Sequence, residues 1–496
     1  MIKRIGSYSF KPVVGLEIHA QIISNTKLFS GAGTSPFAAS NSLVAPFDQA
    51  IPGTLPSLNR SCVIKAVQAS YALNCKINRV SYFERKHYEY ADLPNNYQIT
   101  QSTVPLAIDG FLKFPICSQT TYWYSQARVK QIQLEQDSGK LLNDENFTYV
   151  DLNRAGVALI EIVTRPDFNS GTDASWFVRE VASILRHINV CSGRFGEGAM
   201  RVDASVSLND PDVKGTDENY PGGTIVELKN LGSVRNLHLA IDSEIVRQYN
   251  CIANGISISN ETRSFDIEKK RTVSSRDKSR FHDYRIFPDS NIPPLVLFNS
   301  KAETNDCRAV LLEELDIFRY DIHDQLRSLA LSNTSMLFLL NSPEYIHLFF
   351  KCLKTDKVIN NDTLASNVLN LIKHYSREKK APPISINNIV EIENFISNGI
   401  LASQYIESLI EKLFDKDSRP VAEIIKSESY YSEFTDDDLK QVVLKIIDEN
   451  PKDVDLLLAG KKSGMRRLMG KVRRQTNNKA DLTKVHTLIK RICNVN

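Results

Sequence analysis

Between residues 13 and about 298 apolar and polar positions alternate in short runs separated by Gly, Pro and Asn, which predicts β-strands joined by turns. Val13 to Ile22 is the clearest run: as a strand it sends Glu17, His19 and Gln21 to one face and Leu16, Ile18 and Ile22 to the other. Two segments carry helical spacing instead, Val63 to Leu73 and Asp173 to His187. After Pro293-Pro294 the texture changes to Leu- and Ile-rich segments of helical period, such as Ala309 to Phe318 and Leu364 to Tyr375, punctuated by Pro382-Pro383 and Arg419-Pro420. The pattern predicts an α+β fold in three parts: a mixed-sheet domain over 1–298, an all-α linker over 299–345 and a helical tail domain over 346–496. A chain of 496 residues is too long for one core and has ample apolar sequence for such a division.

The alternation also sorts the acids. Ile132 to Asp137 puts Glu135 and Asp137 on one face, while Arg201-Val202-Asp203 and Glu227-Leu228-Lys229 each set an acid two residues from a base. A solvated sheet face produces such pairs routinely. Glu161 is harder to explain that way, because the run Val157-Ala158-Leu159-Ile160-Glu161-Ile162-Val163 suggests burial on both faces. A buried carboxylate needs a cation or donors, or it protonates. If these strands share a sheet, Glu17, Glu135, Glu161, Asp203 and Glu227 converge, and such a cluster calls for Mg²⁺, which binds through a few carboxylates plus nucleotide phosphates. His19 then stands as a direct ligand, as a support for one, or as a structural histidine.

Lys and Arg number 61 against 58 Asp and Glu, so the overall balance gives no argument for nucleic acid. One segment does. Lys461, Lys462, Arg466, Arg467, Lys471, Arg473 and Arg474 occur with no acid among them, and on a helix Arg467, Lys471 and Arg474 lie apart from Met465, Leu468, Met469 and Val472. A basic face on an apolar anchor predicts phosphate contact. The eight cysteines form no CxxC pair and no zinc spacing, which reads as reduced thiols in an intracellular compartment. No apolar run approaches the roughly 18 residues that span a bilayer, so membrane insertion is not expected. Lys3, Arg4 and Lys11 precede the first acid, Glu17, as either the remnant of a mitochondrial presequence or a short basic arm. There is no GxxxxGK[ST] loop, Gly193 to Gly198 is not a GxGxxG turn, and neither an amidase Ser/Lys signature nor a Cys–His pair is present. An ATP site here is of another type, and ammonia, if used, is made elsewhere.

The ordered motifs carry a resemblance. They are Val14-Gly15-Leu16-Glu17-Ile18-His19, Arg85-Lys86-His87-Tyr88 running on to Asp92-Leu93-Pro94-Asn95-Asn96-Tyr97-Gln98, Leu134-Glu135-Gln136-Asp137-Ser138-Gly139, Val150-Asp151-Leu152-Asn153-Arg154, Leu159-Ile160-Glu161-Ile162, Gly196-Glu197-Gly198-Ala199-Met200-Arg201-Val202-Asp203 and Glu227-Leu228-Lys229-Asn230. Together they resemble the B subunits of the glutamyl-tRNA(Gln) amidotransferases, a family with bacterial and organellar members. The resemblance implies a cradle-shaped α+β catalytic domain with ATP as co-substrate and Mg²⁺ as cofactor. It further implies a carbon–nitrogen ligase that phosphorylates the glutamyl carboxylate of Glu-tRNA(Gln) and amidates it with ammonia released from glutamine. The implied partners are a separate amidase subunit, which releases that ammonia, a small bridging subunit and the misacylated tRNA.

Carried over by position, Glu17, His19, Glu135 and Glu161 hold the metal, Lys86, Tyr88, Arg201 and Lys229 place ATP, and Glu17, His19, Lys86, Asp203, Glu227 and Lys229 serve catalysis. Lys461, Lys462, Arg466, Arg467, Lys471 and Arg474 fall in the tail domain that holds tRNA. Gln136 replaces a second glutamate usual in the family, leaving open which acid of that motif meets the metal. Ala91, Glu89 and Asn95 depart from its usual Pro, aromatic and Lys, and an RNA or phosphate contact there is in question. These differences favour an organellar member in the mitochondrial matrix, the alternative being bacterial or other cytoplasm. A catalytically inactive tRNA-binding scaffold is the alternative function, and a free-standing ligase making its own ammonia is disfavoured by the missing nucleophile.

Overall fold

The computed structural model describes residues 3–5, 8–117, 121–209, 223–229, 231–277, 285–304, 306, 309–312, 325–326, 328–329, 331–340, 342–379, 384–402, 405–415, 417, 419–431, 436–458, 462–476, 480 and 482–493. Lys461, Pro382-Pro383 and residues 313–318 lie outside these, as does the side chain of Lys462. The chain divides into two compact units, Met1–Asp321 and Ile322–Asn496, a division that falls between the boundaries expected from sequence.

The first unit is built on one mixed sheet. Its strands are β1 (Lys3–Ile5), β2 (Tyr8–Gln21) and β3 (Lys76–Ile77), then, after the short β4 (Val80–Ser81), β5 (Glu84–His87) and β6 (Tyr97–Thr100) of smaller sheets, β7 (Ala107–Cys117) and β8 (Tyr122–Gln136). Past the hairpin β9 (Lys140–Asn143) and β10 (Thr148–Asp151) come β11 (Ala158–Thr164), β12 (Met200–Asn209), β13 (Val226–Lys229), β14 (Glu261–Asp266) and β15 (Arg271–Asp277). The order across the sheet is β15-β14-β13-β12-β2-β11-β8-β7-β3, with β1 also paired to β2. Its pairings are antiparallel except β13 with β14. β2 is thus central, and its alternation decides the two faces: Val14, Leu16, Ile18 and Ala20 are buried on one side, Glu17, His19 and Gln21 half-buried on the other.

Helices cover the apolar face. α1 (Arg60–Ala72) starts where Asn59 Oδ1 accepts from Ser61 N at 2.9 Å, and α2 (Gly171–His187) where Ser170 Oγ accepts from Asp173 N at 3.2 Å. α3 (Val234–Ala253) is capped likewise by Ser233, whose Oγ accepts from Asn236 N at 3.1 Å. Helical spacing in the sequence predicts the first two helices and not the third, a 20-residue helix whose buried stripe includes Glu244 and Gln248. Those polar residues blunt its periodicity. They are buried because Glu244 accepts from Arg247, Gln248 and Thr272. Under α2, Phe177 meets Phe114 and Phe168 edge-on at centroid distances of 5.5 and 5.1 Å, pinning the helix to the sheet.

In the second unit the named elements are helices. Leu364 to Lys379 is helical as its spacing predicts. Within the first unit, the helix expected from Ala309 begins instead as a short strand, Val310–Leu311, paired with Leu295–Phe298. In the tail, α4 (Pro451–Leu458) crosses α5 (Lys462–Gln475) at Gly464. A Cβ there would stand 2.5 Å from Leu457 N and 2.7 Å from Asp453 O, so only glycine lets the two backbones approach this closely. Gly464→Leu is expected to lower tail stability by about 1–3 kcal/mol through overpacking. A urea titration followed on the full chain checks this, and an unshifted transition would mean the crossing can widen without cost.

Candidate active site

The polar face of the sheet gathers side chains from five strands. Cross-strand register places Glu161 opposite His19, Arg201 opposite His19 and Asp203 opposite Glu17. Glu161 also faces Gln133, and Leu159 faces Glu135. Directly opposed residues share a face, so the acids singled out in the sequence do meet. His19 Nε2 lies 3.7 Å from Glu17 Oε1 and 3.6 Å from Glu135 Oε1. One donor atom each of Glu17, His19 and Glu161 falls within 4.8 Å of the others. Glu135 sits at the edge of this trio, held by Gln98 Nε2 at 2.7 Å, and Glu161 accepts from Gln133 Nε2 at 2.7 Å.

The electrostatics of this set are unbalanced. Burial alone would lower the pKa of His19, but its hydrogen bond to Glu135 and the charges of Glu135 and Glu17 raise it overall. Burial would raise Glu135, and it is instead lowered by the hydrogen bond and charge of His19 and by the charge of Lys86. Glu161 has no such relief: burial, then the charges of Glu135 and Glu17, push its carboxyl well above the ordinary range. Asp203 is raised by burial against the opposing pull of Lys229. The cluster is short of positive charge at Glu161.

A divalent cation would supply that charge, and the residues fit one: carboxylate oxygens suit hard Mg²⁺, and three donors already converge to within 4.8 Å. Glu17, His19 and Glu161 are the residues placed to hold it, with Glu135 beside them.

Basic groups ring the same space. A cavity of about 440 Å³ is lined by Glu17, His19, Lys86, Tyr88, Glu135, Arg201, Asp203 and Lys229 among others. Lys86 and Tyr88 reach it from β5 and the residue just beyond, Arg201 and Asp203 from β12, Lys229 from β13. A second cavity of about 200 Å³ shares Glu17, Asp203 and Lys229 in its wall and extends past Glu227 to Lys130 and Arg165. Lys229 Nζ stands 3.6 Å from Asp203 and 3.8 Å from Glu227. Glu227 therefore belongs to the second cavity rather than to the metal trio.

Arg201, expected to place ATP, has its Nη2 paired with Asp137 at 2.8 Å. Missed in the sequence as site residues were Gln98, Gln133 and Thr100, which form the hydrogen-bonded bed under Glu135 and Glu161, with Gln133 Nε2 donating to Thr100 Oγ1 at 3.1 Å. Gln133 shared the alternation of Glu135 and was available as a signal. The motif Glu135-Gln136-Asp137 is also sorted: Glu135 faces His19 and Asp137 binds Arg201. Gln136 lines a small separate cavity with Asp48, Asn95 and Gly156. The Gln at 136 thus removes no carboxylate from the face that His19 shares. Asn95 lies against that same small cavity, its Nδ2 donating to Phe47 O at 3.5 Å.

In the tail, the basic residues divide. Lys471 Nζ donates to Asp453 Oδ2 at 2.7 Å and Arg467 Nη1 reaches Asp453 Oδ1 at 3.4 Å, so both tie α5 to α4. Arg466 and Arg474 are exposed. Leu468 and Val472 are fully buried on the opposite side.

A mixed sheet with helices on one face and a carboxylate-lined cavity on the other, followed by a helical C-terminal region, defines an α+β catalytic domain with a helical appendage. Comparison with known proteins gives the family. Residues 12–303 match the GatB/GatE catalytic domain and residues 348–493 match the GatB domain. The chain is 38% identical over 485 residues to the B subunit of the mitochondrial glutamyl-tRNA(Gln) amidotransferase of Drosophila melanogaster, covering 95% of this chain and 93% of that protein. It is 36% identical over 505 residues to the Homo sapiens mitochondrial protein of the same name, covering 98% and 89%. To the B subunit of the aspartyl/glutamyl-tRNA(Asn/Gln) amidotransferase of Anaplasma marginale (strain St. Maries) it is 34% identical over 498 residues, covering 98% and 97%. The chain belongs to the family of B subunits of tRNA-dependent amidotransferases.

Proposed function

We propose that this chain activates the side-chain carboxylate of glutamate carried on tRNA(Gln), using ATP, and passes the activated group to ammonia from a partner amidase. The observation that carries the reading is the convergence of Glu17, His19 and Glu161 to within 4.8 Å, with Glu17 and His19 lining the cavity that Lys86, Arg201 and Lys229 also line. A carboxylate is a poor electrophile. Attack of its oxygen on the γ-phosphoryl group forms an acyl phosphate and releases ADP; ammonia then displaces phosphate, giving the amide and losing a proton. Bound Mg²⁺ supplies charge neutralisation at the phosphoryl oxygens. The protein's own contribution is to fix geometry and charge: Lys86, Arg201 and Lys229 offset the anionic substrates, and Gln98 and Gln133 hold Glu135 and Glu161 in place. Two adjoining cavities sharing Glu17, Asp203 and Lys229 suit a reaction of two substrates that meet at the carboxylates.

The tail domain, in this proposal, holds the tRNA through the exposed basic side of α5. A small bridging subunit completes the assembly, and the mitochondrial names of the relatives from Drosophila melanogaster and Homo sapiens support a place in the mitochondrial matrix.

The test is a reconstituted reaction with Glu-tRNA(Gln), ATP and either glutamine or ammonium. Ammonium is expected to support Gln-tRNA(Gln) formation by the assembled complex, glutamine only when the amidase is active, and both only with ATP. ATP-independent amidation, or full activity after Glu17→Ala, would remove the kinase role and leave a tRNA-holding scaffold.

A further inference from the structure

α5 contains two glycines with opposite explanations. Gly464 is required by the crossing with α4, but at Gly470 no described atom lies within 4 Å of the position a Cβ would take. Glycine inside a helix is costly relative to alanine, through the backbone freedom it loses on folding. Packing within the described chain returns nothing for that cost. At 3.6 residues per turn, Gly470 falls opposite buried Leu468 and Val472, at the centre of the outer face, with Arg466 one turn before it and Arg473 and Arg474 one turn after.

Resting on the reading of the tail as the tRNA-holding domain, we infer that Gly470 is the point where the phosphodiester backbone of RNA seats directly on the helix, flanked by Arg466 and Arg474. The missing side chain allows a sugar or phosphate to touch the helix backbone, and the two arginines then reach neighbouring phosphates from either side. Arg467 and Lys471 also pair with Asp453 of α4, Lys471 at 2.7 Å and Arg467 at 3.4 Å. An anionic membrane is the other polyanion such a face could meet, but the outer face of α5 carries Ser463, Arg466, Gly470 and Arg474 and lacks the large apolar residues that interfacial helices insert.

The experiment measures binding of a labelled tRNA transcript to the full chain carrying Gly470→Ala, Gly470→Leu or the double substitution Arg466→Gln/Arg474→Gln, with thermal unfolding in parallel. Gly470→Ala is expected to raise the tail's melting temperature while weakening tRNA binding, and Gly470→Leu to weaken it further, by about tenfold. The double arginine variant is expected to reduce the salt dependence of binding by about two counterions. If the arginine variant weakens binding and Gly470→Leu does not, the close-approach assignment is overturned while the tail keeps its RNA role. If neither changes binding, the tail reading fails and the inference with it. Binding to phosphatidylserine vesicles that Gly470→Leu abolishes, with tRNA binding intact, would likewise overturn it.

Discussion

Glu161→Gln is expected to lose on the order of 10²–10³-fold in ATP-dependent amidation while unfolding at a higher temperature than the parent protein in the absence of metal. The amide keeps the shape of the carboxyl and can still accept the hydrogen bond from Gln133 Nε2, formed at 2.7 Å. Its NH₂ can donate towards Glu17 or Glu135, replacing repulsion with a hydrogen bond. What it cannot do is carry a negative charge to a cation. The pH dependence separates the two proteins further. Burial and the charges of Glu135 and Glu17 raise the folded-state pKa of Glu161 above its unfolded value. Its contribution to stability is then fully present below the unfolded value and is lost as pH rises through the folded one. Metal-free parent protein should melt at falling temperatures as pH rises above the ordinary glutamate range, the variant less steeply, and added Mg²⁺ should restore the parent most at the alkaline end. Calorimetry at several pH values checks this; equal slopes for the two proteins would show that Glu161 does not bear the excess charge.

Asp48→Ala is expected to cost about 3–5 kcal/mol of stability, the larger structural effect. Lys27 is fully buried, with Nζ 2.9 Å from Asp48 Oδ2 and 3.1 Å from Leu152 O. The same carboxylate oxygen accepts from Ser30 Oγ at 3.1 Å and Ala45 N at 2.9 Å. Without Asp48 a buried ammonium retains one carbonyl and three segments lose their shared anchor. The damage should reach the active site, because Gly156 N donates to Asp137 O at 2.8 Å from the loop that Lys27 secures, and Asp137 orients Arg201. Urea unfolding gives the magnitude. A double substitution Lys27→Met/Asp48→Leu should recover most of the loss, since removing both charges leaves nothing unpaired; a loss below about 1 kcal/mol for Asp48→Ala alone would mean water readily replaces the carboxylate.

Much of this was legible in the sequence, and the limits have physical causes. Alternation in Val13 to Ile22 gave both faces of the central strand because each residue's side follows from a period of two. Glu161 stood out because an acid inside an apolar strand demands a partner. Register is another matter: that Glu161 faces His19 and Gln133, while Leu159 faces Glu135, depends on how strands distant in sequence slide against one another. Alternation says nothing about that. Gln98 escaped notice as a site residue because its role depends on a separate small sheet, and Asp137, already placed on the polar face, could not be matched from sequence to Arg201 across the cavity. A helical wheel shows the charge of Arg467 and Lys471 and cannot show that a buried Asp453 on the neighbouring helix also holds them. α3 was obscured by Glu244 and Gln248, polar residues that are buried only because Arg247, Arg263 and Thr272 come to meet them.

The placing of β2 at the middle of the sheet has a consequence for biogenesis. This strand is made well before its lateral partners β11, at 158–164, and β12, at 200–209. Until β12 has been synthesised, Val14, Leu16, Ile18 and Ala20 lie on a strand with an unpaired edge, the condition under which strands associate with the wrong neighbour. Loop closure over such separations is slow. Closure of this core therefore waits for β12, later than in a protein whose core forms from adjacent segments.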